Sequence, residues 1–99
     1  MDFQTQSTGA DLRVMLHGRL TFNENSQFRL VLGRIADSAA TKVVFDLGGV
    51  DFIDSAGLGM LLYARDTLRQ RDGVVTLDAA IGQVDRMLDL ARMRDLFKA

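Results

Sequence analysis

Between Phe52 and Gly59 the sequence places a carboxylate, a hydroxyl and two glycines in the order Asp54-Ser55-Ala56-Gly57-Leu58-Gly59. The first chemistry to test for such a serine is nucleophilic catalysis. A nucleophile elbow needs glycine two residues to either side of the serine, because the sharp strand-to-helix turn crowds the backbone. Position 53 is Ile, so only Gly57 fits. The serine would also need a base to take its proton. His17 is the sole histidine, and strand alternation puts it on the face opposite Leu16, a position of surface or sheet filler rather than of a base. These residues do not make a hydrolase, and no catalytic residue is assigned.

The remaining glycines, Gly48 and Gly49 with Gly57 and Gly59, match neither a phosphate loop, which ends in Gly-Lys-Ser/Thr, nor a dinucleotide fingerprint with its third glycine. Asp46 lies near the end of an apolar run, where a phospho-accepting aspartate would sit. That chemistry also needs an acidic pair after the first strand and a later lysine, whereas Leu16-His17-Gly18 offers no acid and the lysines are Lys42 and Lys98. With one histidine and no cysteine, disulfides, cysteine-ligated zinc and a multi-histidine metal site are excluded. No metal or cofactor is expected.

What is left is a serine at a helix N-cap. One reading is that Ser55 only caps the helix, its oxygen accepting from the amide of Leu58 or a neighbour, worth about 0.5–2 kcal/mol. Capping explains neither the apolar Phe52-Ile53 before it nor the glycines behind it, each costing up to about 1 kcal/mol against Ala in a helix. Glycines there let another protein's backbone approach the helix start. They would equally serve tight packing under a neighbouring strand.

The elements that must position this segment follow from periodicity. Residues 2–8 alternate weakly, with Phe3 and Thr5 on one side, and Thr8-Gly9-Ala10-Asp11 is a turn. Leu12, Val14 and Leu16 share one strand face, and Gly18 is expected to end that strand. Thr21-Phe22-Asn23-Glu24 has capping-box spacing and opens a helix over 22–39 with Phe28, Val31, Leu32, Ile35 and Ala39 on its apolar face. Val43-Val44-Phe45-Asp46-Leu47 reads as a strand buried on both faces, broken by Gly48-Gly49. A helix from Ser55 or Ala56 to Gln70 closes at Asp72-Gly73, with Gly73 as left-handed cap. A strand at 74–77 and a helix over 82–91 follow, the latter with Val84, Met87, Leu88 and Ala91 inward, and Leu96-Phe97 docks. Strand–helix alternation after residue 12 implies right-handed crossovers and an α/β fold, a sheet covered by helices.

The length of 99 residues allows one domain, taken as 1–99, and the 47% hydrophobic and 25% charged content fits a folded globular chain. A net charge of -1, with Arg86, Arg92 and Arg94 the densest basic group and no aromatic residues among them, argues against nucleic acid. The amino terminus lacks a signal peptide's basic and apolar regions, and no apolar run approaches a membrane span, so membrane insertion is not expected and the cytoplasm is the simplest address.

The stretch from Val43 to Leu62, with Asp54-Ser55-Ala56-Gly57-Leu58-Gly59 at its centre, resembles the signature of STAS domains, specifically the stand-alone bacterial anti-sigma factor antagonists. The similarity runs from the strand ending at Gly18 through Val84-Asp85-Arg86-Met87-Leu88-Asp89-Leu90 to Leu96-Phe97. The resemblance implies a mixed sheet of four or five strands with helices packed against it. It implies that the unmodified domain binds an anti-sigma factor that is also a serine kinase, that this kinase phosphorylates Ser55, and that a PP2C-type phosphatase reverses the change. It also implies that Asp54, Ser55, Ala56, Gly57, Leu58 and Gly59 form the partner-binding surface. Two features depart from the pattern: Gly18-Arg19-Leu20-Thr21 stands where many relatives have Gly-x-Leu-Asp, and the chain stops at Ala99 without the extra helix that relatives often carry. The alternative within the family is a constitutive accessory subunit of an ABC-type lipid-transport system.

Overall fold

The computed structural model describes residues 1–97; Lys98 and Ala99 lie outside the described residues. Strand β1 (Asp2–Thr8) pairs antiparallel with β2 (Asp11–Leu20), as the turn at Gly9 dictates. The chain then crosses through a 3-10 turn (Phe22–Glu24) and helix α1 (Asn25–Asp37) to β3 (Lys42–Ile53), which runs parallel to β2. Helix α2 (Ser55–Arg69) leads to β4 (Val74–Asp78), parallel to β3, and α3 (Gly82–Leu90) and a 3-10 segment (Met93–Phe97) finish the described chain. The sheet order β1-β2-β3-β4 is therefore mixed and four-stranded, with three helices packed against it. No helix among the described residues is long and apolar enough to cross a membrane.

Leu12, Val14 and Leu16 of β2 and Val43, Phe45 and Leu47 of β3 form the floor of the core, and Phe28, Val31, Ile35, Leu61, Leu68, Val84 and Leu88 close it from the helices. At about 25 cal/mol per Å² of apolar surface removed from water, this burial is the main stabilising term. The expected burial of Val43–Leu47 on both faces does not hold. Val44 and Asp46 are only half-buried, because the helices' apolar stripes all join the Val43-Phe45-Leu47 side and leave the opposite face open.

Both glycine breaks predicted within strands are absent. β2 runs on through Gly18, which adopts φ +95°, a conformation other residues rarely take. β3 likewise continues through Gly48-Gly49, where register shifts between Met15 and His17 and between Gly18 and Arg19 absorb extra β3 residues as bulges. These bulges carry β3 on to Ile53, directly before the Asp-Ser pair.

Smaller differences have local causes. The capping box forms, with the Glu24 carboxylate accepting from the Thr21 amide (3.3 Å) and hydroxyl (2.9 Å), but it starts a 3-10 turn rather than the α-helix itself. Ala40, not Ala39, is buried, since the helix ends at Asp37. At the end of α2 it is Asp72, at φ +57°, that turns left-handed, and Gly73 packs beneath Leu68. Ala91 follows α3 and is exposed, while in the tail Phe97 docks and Leu96 remains 43% exposed.

Candidate functional site

The Asp-Ser pair sits where β3 hands over to α2. Asp54, in an extended conformation (φ -109°, ψ -177°), is the N-cap: one carboxylate oxygen accepts from the Gly57 amide at 2.8 Å, and its backbone carbonyl accepts from the Leu58 amide at 3.0 Å. The other oxygen accepts from the Phe22 amide at 3.2 Å, tying the start of α2 to the start of the 3-10 turn. Ser55, expected at the cap, is the first helical residue instead. It is exposed, and among the described residues its hydroxyl makes no hydrogen bond. The reason is geometric: a cap must hold extended backbone with its side chain over the first turn, and the longer β3 puts Asp54 there.

The two glycines divide between the two explanations offered for them. Gly57 is buried under β2, where a Cβ would overlap the Leu20 carbonyl oxygen and lie 2.7 Å from Ile53 Cγ1. Gly59 is exposed, and a Cβ there would meet nothing within 4 Å. Ala56 is half-buried and Leu58 joins the core at 8% exposure. Of the six expected partner-binding residues, Ser55 and Gly59 thus lie open, Asp54 and Ala56 are at the edge, and Gly57 and Leu58 shape the turn from within.

Three further residues frame this turn that sequence reasoning did not single out. The Gln83 side chain, at the start of α3, accepts from the Ile53 amide (2.9 Å) and donates to the Ile53 carbonyl (2.8 Å), holding the residue before Asp54 as a strand partner would. Phe22 stands 68% exposed beside the cap, and the Arg19 guanidinium lies over the Phe52 ring at 4.9 Å. Phe22 had a signal, an aromatic residue inside a polar capping box. Gln83 had none, because its partner is thirty positions away in sequence.

The other polar cluster lies on the open sheet face. Arg13 donates to Asp46 at 2.8 Å and Asp78 at 2.9 Å, bridging three strands, and these bonds hold the guanidinium above its ordinary pKa. The Gly48 amide (2.9 Å) and then Arg13 hold the Asp46 carboxyl below the usual carboxylate range. Asp46 is thus occupied within its own sheet rather than poised as a phospho-acceptor. Among the described residues no group of three His, Asp or Glu side chains converges as a metal site requires.

Comparison with known proteins places this geometry. The STAS domain profile matches residues 2–99. A STAS-domain containing protein of Pseudomonas aeruginosa is 31% identical over 90 residues, covering 91% of this chain and 88% of the relative. Among solved structures, an anti-sigma factor antagonist from Mycobacterium paratuberculosis superposes with a TM-score of 0.84 at 19% identity, covering 97% of this chain and 81% of that one. The Bacillus anti-sigma factor antagonist SpoIIAA, solved in unphosphorylated and phosphorylated forms, gives a TM-score of 0.70 at 22% identity, covering 90% and 83% for the unphosphorylated form. The fold also occurs in a transporter family. The mixed four-stranded sheet with three helices packed against it is thus shared ground, and the chain belongs to the STAS domain family.

Proposed function

We propose that this domain is an anti-sigma factor antagonist working by partner switching. With Ser55 unmodified it binds an anti-sigma factor that is also a serine kinase; phosphorylation of Ser55 releases that partner, and a PP2C-type phosphatase restores binding. The observation that carries the reading is the free, exposed hydroxyl of Ser55 beside an aspartate that already does the capping, so the fold has no use for the serine. Ser55, Ala56 and Gly59 meet the partner, while Asp54, Gly57 and Leu58 hold the turn that presents them. The cytoplasm, where such a circuit operates, is the site of action.

Phosphorylation adds about -1.5 to -2 charges. The first-turn amides of α2 favour an anion, so the fold tolerates the group. A partner pressed against Ser55 does not, because the phosphate sits beside the Asp54 carboxylate and adds both bulk and like charge. The cognate kinase with ATP should therefore place one phosphate on Ser55, read by intact mass and peptide mapping. Ser55→Ala should bind the kinase without being modified, and Ser55→Asp should bind it at least tenfold more weakly, about 1.4 kcal/mol. A wild-type domain that takes no phosphate at Ser55 refutes the proposal. Co-purification with a transporter ATPase that is indifferent to Ser55→Asp would assign it to the accessory-subunit role instead.

A further inference from the structure

A groove of about 610 Å³ runs between α1 and α2, beginning one residue after Ser55. Its α2 wall is Ala56, Gly59, Met60 and Tyr63, and its α1 wall is Asn25, Phe28, Arg29 and Leu32. Each set is spaced i, i+3, i+4, i+7, so two continuous helical stripes face one another. Phe28 belongs to the core and Leu32 and Met60 pack partly against it, while the two ends of the groove stand open. Tyr63 is 63% exposed at one end and Phe22 68% exposed at the other. Gly59 opens the wall nearest Ser55, with nothing within 4 Å of where a Cβ would stand, so its place in the helix is unexplained by packing inside the domain.

Charge gives the groove a sign. Arg29 is its one charged lining residue, is exposed, and makes no ion pair or hydrogen bond through its side chain among the described residues. Arg34 on the same helix, by contrast, bonds the Thr5 hydroxyl and lies over the Phe3 ring. The Glu24 carboxylate one turn earlier is taken up by Thr21. An incoming segment therefore meets apolar walls and one unpaired cation. From residue 56 to 63 the wall is about 10 Å long at 1.5 Å per residue, room for roughly two helical turns.

We propose that this groove seats an acidic, apolar helix of the protein that the Ser55 surface binds, with apolar side chains between Phe22 and Tyr63 and a carboxylate on Arg29. The mode is the helix-in-groove recognition that amphipathic segments use. The identity of the partner rests on the reading of Ser55 given above; the chemistry of the guest rests on the groove. Because the groove and the Ser55 hydroxyl share the first two turns of α2, a helix seated there brings its own protein against the serine, so recognition and modification act on one interface.

The test replaces Tyr63 with the photo-crosslinker p-benzoylphenylalanine in the protein's native cells, and maps the crosslinked peptide by mass spectrometry. The expected adduct is with a different protein, at a segment with apolar residues at helical spacing and at least one Asp or Glu. Arg29→Glu in the same background should cut the adduct at least tenfold, Arg29→Lys should restore most of it, and circular dichroism of the purified variants should match the wild type. An adduct with a second copy of this chain, with a non-protein molecule or with a basic segment overturns the proposal, as does the absence of any adduct. If the kinase still modifies Ser55 while Arg29→Glu leaves the adduct unchanged, the groove proposal falls and the Ser55 reading stands. If Ser55→Asp leaves the adduct intact while Arg29→Glu removes it, the groove stands and the phosphoserine gate falls.

Discussion

On the open face of the sheet, Arg13 reaches from β2 to Asp46 on β3 and to Asp78 on β4, and Asp46 takes the Gly48 amide as well. At the start of α2, Asp54 takes the amides of Gly57 and Phe22, and among the described residues the neighbouring Ser55 hydroxyl takes nothing. Both clusters are built from ordinary polar residues near the surface. In the first, opposite charges close on one another across three strands. In the second, one side chain satisfies the backbone and the next is left open. The contrast therefore separates a cluster that the fold has closed on itself from one that it leaves open, without reference to residue type.

The largest expected effect tests how rigidly the open serine is held. Gly57→Ala would drive a Cβ into the Leu20 carbonyl, a backbone atom that cannot swing aside. We expect a loss of about 1–3 kcal/mol or more, typical of overpacking. Thermal denaturation should then fall by about 4–8 °C per kcal/mol for a domain of this size. Gly59→Ala is the matched control: with open space around it and a better helix former in place, it should hold or raise the midpoint by up to about 1 kcal/mol equivalent. Equal melting temperatures for the two variants would mean that Gly57 is not the fulcrum of the turn.

Next in size is Asp54→Ala, which leaves the Gly57 and Phe22 amides without their acceptor. Loss of an N-cap costs about 0.5–2 kcal/mol, and we expect the upper part of that range because two elements are untied at once. Asp54→Asn keeps one acceptor oxygen for the Gly57 amide but sets an NH2 against the Phe22 amide, so it should recover the cap's share of the loss and not the tie to Phe22, read by urea denaturation. If Asn recovers nothing, the carboxylate's charge rather than its geometry holds the turn.

Much of this arrangement was legible in the sequence, and the failures share a cause. The four strands, the three helices and the inward faces Leu12-Val14-Leu16 and Phe28-Val31-Ile35 follow from periodicity, which is local. The extent of β3 did not, because Gly48-Gly49 mark a break only if no neighbouring strand accommodates a bulge, and that depends on β2. The helix start at Ser55 was legible, but the cap was read one residue late, at Ser55 rather than Asp54. Whether Gly57 and Gly59 were there for packing or for approach depended on the distance to Leu20, which no spacing rule contains. Gln83 on Ile53 and Arg13 on Asp78 are likewise contacts between distant segments. Fold class was carried by local pattern; the division of labour within the site was carried by tertiary approach.

The smallest expected effect concerns the satisfied cluster. Because Asp46 is held below the ordinary carboxylate pKa of about 3.9, first by the Gly48 amide and then by Arg13, its ionised form favours the folded state. That contribution is fully present above the unfolded value and is lost as pH falls through the lower, folded value. Arg13→Met removes one of the two causes and leaves the Gly48 amide in place. The variant should therefore melt slightly below the wild type at pH 7, and the gap should narrow once pH drops below about 3.9, where the unfolded carboxyl is protonated. The gap should also shrink in high salt, since exposed ion pairs are screened. A gap that persists unchanged to pH 2 would mean that Arg13 does not act through its charge on the carboxylates. The contrast between a self-satisfied cluster and an open one would then rest on the Ser55 side alone.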